Sequence, residues 1–150
     1  MNKHNKYMKQ FLNKVKDVAL YIWQLPQNLL GLLLIAIYKP TRKHVLDNGV
    51  EVHYAYKMTG GISLGKYALV HTIHYRQNID DSLKRDTVRH EAIGHTKQSR
   101  MLGWFYLPIV GLQSICWAGI YGTKLVPATK NGYYKFWTEK WADKLAGVER

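Results

Sequence analysis

Arg89-His90-Glu91-Ala92-Ile93-Gly94-His95 sets two imidazoles on either side of a carboxylate within one proline-free segment. Two histidines can bind a divalent metal while the glutamate acts on a water beside it, so this run points to zinc hydrolase chemistry. The usual arrangement spaces the two histidines four apart, on one side of a helix. His90 and His95 are five apart, which at about 100° per residue turns one roughly 140° from the other. A single π-bulge between them restores a common side. Gly94 makes that distortion cheap and lets another element come close.

Such a site needs a third protein ligand with a fourth position left open. Trp137-Thr138-Glu139-Lys140-Trp141-Ala142-Asp143 offers one. Glu139 can bind the metal, and Asp143, one helical turn later, can hold the remaining N–H of a ligand histidine and fix its tautomer. Only ten carboxylates occur in the whole chain, and three of them fall into this set. The competing reading is a solvated face, with Glu91 and His95 merely paired at i, i+4.

Three kinds of element must position these groups. Val50–Tyr56 alternates and is rich in β-branched and aromatic residues, and Lys66–Tyr75 reads the same way. With a turn at Thr59-Gly60-Gly61 they predict a small β-hairpin or sheet, whose Lys66–Tyr75 strand could form an edge for a peptide. Asp80-Asp81-Ser82 offers N-cap chemistry for a helix from Leu83 to about Leu102, stopped by Gly103. Residues 127–132 read as a loop. Tyr134–Ala146 reads as a helix capped by Gly147, with Trp137, Trp141 and Leu145 along one side. The expected class is α+β, mainly helical.

The other kind of element is apolar. Val18–Tyr38 and Met101–Thr123 run 21 and 23 residues without a charge, and about 20 residues suffice to reach through a bilayer. Tyr21, Trp23, Tyr38, Trp104, Tyr106, Trp117 and Tyr121 suit a headgroup belt. Lysines precede the first stretch, and Lys39, Arg42 and Lys43 follow it. Basic residues thus stand on both sides and set no orientation. Pro26 and Pro108 remove backbone donors that hydrocarbon cannot replace, so each stretch is expected to bend or lie in the interface plane. The buried core of a soluble protein is the alternative. A division follows: a basic, membrane-associated segment over 1–45, and a site-bearing domain over 46–150 with the apolar 101–123 folded back as a hairpin or re-entrant stretch.

The net charge of +12 in 150 residues asks for a polyanionic partner, either lipid or nucleic acid. One cysteine excludes a disulfide framework and a Cys/His finger, and no nucleic-acid motif stands out, so a membrane surface is the expected partner. Cys116 reads as a small buried hydrophobe. His53, His71 and His74 read as structural strand residues, with His74 a spare ligand, and His4 and His44 as exposed. Tyr133 and Tyr134 could donate to a developing oxyanion, although packing is the simpler role.

His90-Glu91-Ala92-Ile93-Gly94-His95 followed by Glu139-x-x-x-Asp143 resembles the gluzincin metallopeptidases, the thermolysin-like class, and its longer spacing resembles the variant of dipeptidyl-peptidase III. Leu25-Pro26-Gln27-Asn28-Leu29-Leu30-Gly31, Gly60-Gly61-Ile62-Ser63-Leu64-Gly65, His95-Thr96-x-Gln98-Ser99 and the Trp137–Asp143 run also resemble small uncharacterised bacterial proteins with an H-E-x-G-H-T-x-Q-S signature. The resemblance implies a zincin-like active-site helix, His90, His95 and Glu139 as zinc ligands, Glu91 as base and Asp143 behind a ligand. Taken with the apolar stretches, it gives the expectation of a membrane-associated zinc peptidase, at a bacterial inner membrane and acting on a peptide or protein. The alternative is a non-catalytic basic membrane-binding protein whose His/Glu cluster is a structural metal site or a solvated face. The hydrophobic fraction of 47% excludes a mostly disordered chain.

Overall fold

The computed structural model describes residues 3–123 and 132–150. The loop expected over 127–132 lies, apart from Gly132, outside the described residues, as does the side chain of His4. The chain opens with two helices, α1 (Lys3–Trp23) and α2 (Leu25–Tyr38). They break at Gln24 through 82°. Pro26 stands in the first turn of α2, where a missing N–H costs nothing, so the expected pair of helices meeting near Pro26 is what forms.

Four short strands follow: β1 (Arg42–Val45), β2 (Glu51–Ala55), β3 (Gly61–Leu64) and β4 (Tyr67–His71). Their order is β1-β2-β4-β3. β1 pairs antiparallel with β2, β2 parallel with β4, and β3 antiparallel with β4. This corrects the simple hairpin expected from sequence. Residues 61–64 are not just part of the turn: they form a strand of their own, and that excursion makes the two longer strands parallel. It also moves β4 to the interior. The edge strands are β1 and β3, so the β4 segment, paired on both sides, cannot receive a peptide by strand addition.

The alternation of β2 and β4 sorts their side chains onto two packed faces. Val50, Val52, Tyr54, Ala68 and Val70 pack with Val88 and Ala92 on one side. Ala55, Tyr67 and Leu69 pack with Leu34, Ile35 and Tyr38 of α2 on the other. β1 pairs with β2, and α2 packs on the sheet face that carries Ala55, Tyr67 and Leu69.

The segment expected as one helix from Leu83 to Leu102 is four pieces: α3 (Ile79–Leu83), α4 (Asp86–Arg89), a π-helical turn (His90–His95) and α5 (Thr96–Leu102). The N-cap is Asn78, whose side chain accepts from the Asp80 amide, rather than the acidic pair that follows it. After Gly103 the chain makes a 3-10 turn, a second π turn (Leu107–Gly111) and α6 (Leu112–Gly122). The last helix, α7 (Trp137–Ala146), ends at Gly147 with φ of 65°. The class is α+β, mainly helical, with a small mixed sheet.

Polarity is inverted in two of these helices. In α2, Gln27 and Asn28 are fully buried while Leu29 and Leu33 are more than half exposed. In α6 no residue is buried; Leu112 and Ile115 are exposed, Gln113 accepts from the Trp137 indole, the Ser114 hydroxyl meets that of Thr138, and Trp117 stacks on Phe136. Cys116 is exposed, a correction to its expected burial: an apolar run was read as a core, and this one faces out. No single helix among the described residues is long and apolar enough to cross a membrane, although two bent pairs satisfy length and composition together.

His44 is also corrected. It stacks on Tyr75 with ring centroids 5.1 Å apart and meets the Tyr54 hydroxyl at 3.1 Å, so it packs rather than standing free. His53 sits buried on β2 beside Glu51, as expected of a structural residue. His71 accepts from the Ile73 amide, and His74 lies in a short 3-10 turn beyond the strand.

Candidate metal centre

The π turn decides the geometry. An i→i+5 turn places residue i+5 over residue i, which brings His90 and His95 together with ring centroids 4.6 Å apart, edge to face. Gly94 permits the next step. A Cβ built there would strike the carbonyl oxygen of Ala142, so only glycine lets α7 lie against this turn. Both expectations drawn from the five-residue spacing therefore hold.

α7 delivers two carboxylates one helical turn apart. Glu139 Oε2 lies 3.1 Å from His90 Nε2 and 3.5 Å from His95 Nε2. Asp143 Oδ1 accepts from His90 Nδ1–H at 2.7 Å, and Gln98 Oε1 accepts from His95 Nδ1–H at 2.7 Å. With an acceptor on each Nδ1, both rings are held in the tautomer that turns Nε2 toward Glu139. Gln98 was missed in sequence. Its signal was a polar residue three positions after a candidate ligand, on the same helical face; its amide also donates to the Thr138 carbonyl at 2.9 Å, anchoring α5 to α7.

Glu91 approaches from the other side. The Ser63 hydroxyl lies 2.7 Å from Glu91 Oε2 and 2.8 Å from the Glu91 carbonyl, so β3 holds this side chain. Gly61 completes the contact: a Cβ there would fall 2.5 Å from Glu91 Oε1. Ser63 and Gly61 stood in the sequence only within a turn and the Gly60–Gly65 run, with no role at the site, because a four-residue strand shows no periodicity. Tyr106, fully buried, donates to the Ser63 carbonyl at 3.0 Å. The i, i+4 pairing of Glu91 with His95 does not occur; each has another partner.

His90, Glu91, His95 and Glu139 are all buried, which excludes the solvated-face reading. One ligand atom from each of His90, Glu91 and His95 can be chosen so that all lie within 4.8 Å of one another. This buried group can hold a metal ion. Tetrahedral zinc with bonds of about 2.0–2.1 Å sets its ligand atoms roughly 3.3 Å apart, and the Glu139–His90 and Glu139–His95 separations of 3.1 and 3.5 Å bracket that value. Two of the three separations within a His90, His95 and Glu139 set thus suit a tetrahedral ion.

Burial opposes charge on His90, but the hydrogen bonds to Asp143 and Glu139 outweigh it and raise its pKa to about 9. Burial likewise opposes charge on Glu139, and its bonds to His90 and His95 carry it well below the usual carboxylate range. A folded value above the unfolded one, near 6.5 for histidine, means stability that is complete below that pH and lost as pH rises through 9. Chelator-treated protein is thus expected to melt several degrees lower at pH 9.5 than at pH 6.5, and a flat melting profile across that window would contradict the protonated pair.

Further out, Arg150 lies over the Tyr134 ring at 3.4 Å and 3.5 Å from Asp143. Tyr134 in turn meets His90 edge-on at 5.4 Å. Tyr133 packs against Tyr121, and burial raises its pKa far above the ordinary phenol range. His74 does not join the group.

Joining His95 to Glu139 requires the apolar stretch between them to turn back rather than cross a bilayer once. It does: the helical run to Phe105 and that from Leu107 to Gly122 are bent by 119°. No family model matches the chain, and no curated protein or solved structure matches it.

Proposed function

We propose that the chain is a membrane-associated, zinc-dependent peptidase of gluzincin-like design that hydrolyses amide bonds. The observation that carries this reading is the convergence of two tautomer-fixed Nε2 atoms on Glu139 Oε2, with Glu91 alongside and held separately. His90, His95 and Glu139 would hold the ion, and Asp143 and Gln98 would hold the two rings. Zinc, when bound, supplies Lewis acidity that polarises a carbonyl and makes water a stronger acid. Glu91 takes a proton from the attacking water at its carboxylate and returns it to the leaving nitrogen. Ser63 keeps one carboxylate oxygen engaged and so orients the other. The open start of β3, with Gly60 exposed and Gly61 half-buried beside Glu91, offers a peptide backbone a pairing edge over the site.

Membrane association is supported by the inverted polarity of α2 and α6 and by α1. Tyr7, Phe11, Leu12, Val15, Val18 and Ile22 form an exposed apolar stripe on α1, and Lys6, Lys9, Lys14 and Lys16 share that helix. Such a helix lies in an interface and is drawn to anionic lipid.

Metal analysis tests the reading directly. Purified wild-type protein is expected to carry about one zinc per chain, and a His90→Ala, His95→Ala variant essentially none, since a site needs at least three protein ligands. Equal metal content in the two would remove the proposal. A second reading, a non-catalytic membrane-binding protein with a structural metal clamp, is favoured by one observation: Glu91 is only 6% exposed and His90 2%. It expects the same zinc but no hydrolysis by the wild type.

A further inference from the structure

The apolar surface and the metal centre share one element. Within residues 105–112, Tyr106 and Val110 point inward and are buried, while Phe105, Ile109 and Leu112 point outward and are exposed. Tyr106 reaches the carbonyl of Ser63, the residue whose hydroxyl holds Glu91. The site therefore stands one helix thickness, about 10 Å, behind an exposed apolar face. β3 has a second such neighbour. Gly31 of α2 packs against Tyr67 and the Leu64 carbonyl, and the outer side of α2 shows Leu29, Leu33 and Ile37 to solvent.

The first of these faces meets the end of α1. The Trp23 indole donates to the Arg100 carbonyl at 3.0 Å, and the Trp104 indole donates to the Ile22 carbonyl at 2.9 Å. That crossed pair welds the end of α1 to the start of the second apolar stretch, and Ala19, Ile22, Trp23, Trp104 and Phe105 line one apolar groove there. Two indoles with their N–H groups satisfied inside the protein leave ring faces for a headgroup boundary.

Charge selects the occupant of this surface. The lysines of α1 precede the first apolar stretch in the chain, and Lys39, Arg42 and Lys43 follow it. A second copy would bring another +12 against them, whereas an anionic bilayer neutralises them.

We infer that the substrate of this site is a peptide segment lying immediately outside the bilayer, in a chain anchored in the same membrane. This rests on the peptidase reading above and adds where the scissile bond must be. An edge strand held about one helix thickness from the apolar layer reaches segments within a few residues of an anchor. Confinement to one bilayer further raises their effective concentration over that of any dissolved peptide.

The test uses capture rather than turnover. Full-length Glu91→Gln protein, loaded with zinc, is placed in vesicles of phosphatidylglycerol and phosphatidylethanolamine. A random-sequence peptide pool carrying a benzophenone is offered in three forms. One is free in solution, and one is joined by about five residues to an apolar helix of about 20 residues. The third is joined to the same helix by about forty flexible residues. Photo-crosslinking is expected to be at least about tenfold stronger for the short-linked pool than for either of the others. Equal capture of all three, or of none, overturns the inference, and equal capture of the two anchored pools shows tethering without a preferred depth, which overturns it as well. Zinc content of the same samples reports separately on the metal reading, so the two failures are distinguishable.

Discussion

Replacing Glu91 by glutamine is expected to lower amide hydrolysis by about 10²–10⁴-fold, the range of a lost general base, while leaving zinc in place. That loss corresponds to about 3–5 kcal/mol of transition-state stabilisation. Glutamine keeps the volume of the side chain and can still accept from the Ser63 hydroxyl, which lies 2.7 Å from Glu91 Oε2 in the wild type. The fold around it should therefore stand. What it loses is the ability to take a proton from water at a carboxylate oxygen.

Glu91 and Glu139 are both close enough to be ligands, and this variant separates their roles. Glu139 Oε2 is within 3.1 and 3.5 Å of the two Nε2 atoms, whereas Glu91 is drawn toward β3 by Ser63. Zinc retained with hydrolysis lost assigns Glu91 to proton transfer. Zinc lost together with hydrolysis makes it a ligand instead, and activity undiminished in the variant rejects the mechanism. In the non-catalytic reading the variant changes nothing, because there is no hydrolysis to lose. Assays at pH 7 suit this comparison.

The site was more legible in the sequence than the sheet that supports it, and the reason is physical. For His90 and His95, five apart, to share a side of one segment, the backbone had to depart from α-helical winding, which the π turn supplies. Glu139 and Asp143, one turn apart, stated their own geometry. β1 and β3, by contrast, are four residues each, too short for an alternation to register. The parallel pairing of β2 with β4 depends on β3 occupying the space between them in the chain. Gln98 and Ser63 act through single hydrogen bonds, which leave no periodic trace. The hydropathy of α2 and α6 was read correctly as apolar and wrongly as burial at Cys116. In α2, Gln27 and Asn28 are buried while Leu29, Leu30, Leu32 and Leu33 are exposed, which departs from an ordinary amphipathic core helix.

Adding one methyl group at residue 94 tests whether that apposition of helices makes the site. Alanine is a better helix former than glycine by about 1 kcal/mol, so Gly94→Ala would stabilise an isolated segment. Here its Cβ would strike the Ala142 carbonyl oxygen and lie 2.9 Å from the carbonyl carbon. Both are backbone atoms of α7 and cannot swing aside as a flexible side chain would. α7 must retreat, and Glu139 and Asp143 retreat with it, lengthening the 3.1 Å and 2.7 Å contacts to His90. Overpacking of this kind costs about 1–3 kcal/mol, and parting a buried ion pair adds to it. The expected result is a melting temperature lower by several degrees and zinc affinity weaker by at least tenfold, read by calorimetry and by competition with a chromophoric chelator. Gly119 provides the control, since it lies inside α6 with nothing within 4 Å of its built Cβ. Gly119→Ala should leave zinc affinity untouched and hold or raise stability, by up to about 1 kcal/mol. Should Gly94→Ala behave like Gly119→Ala, the close seat of α7 on the π turn would not be what brings the carboxylates to the imidazoles, and the metal centre described above would lose its structural basis.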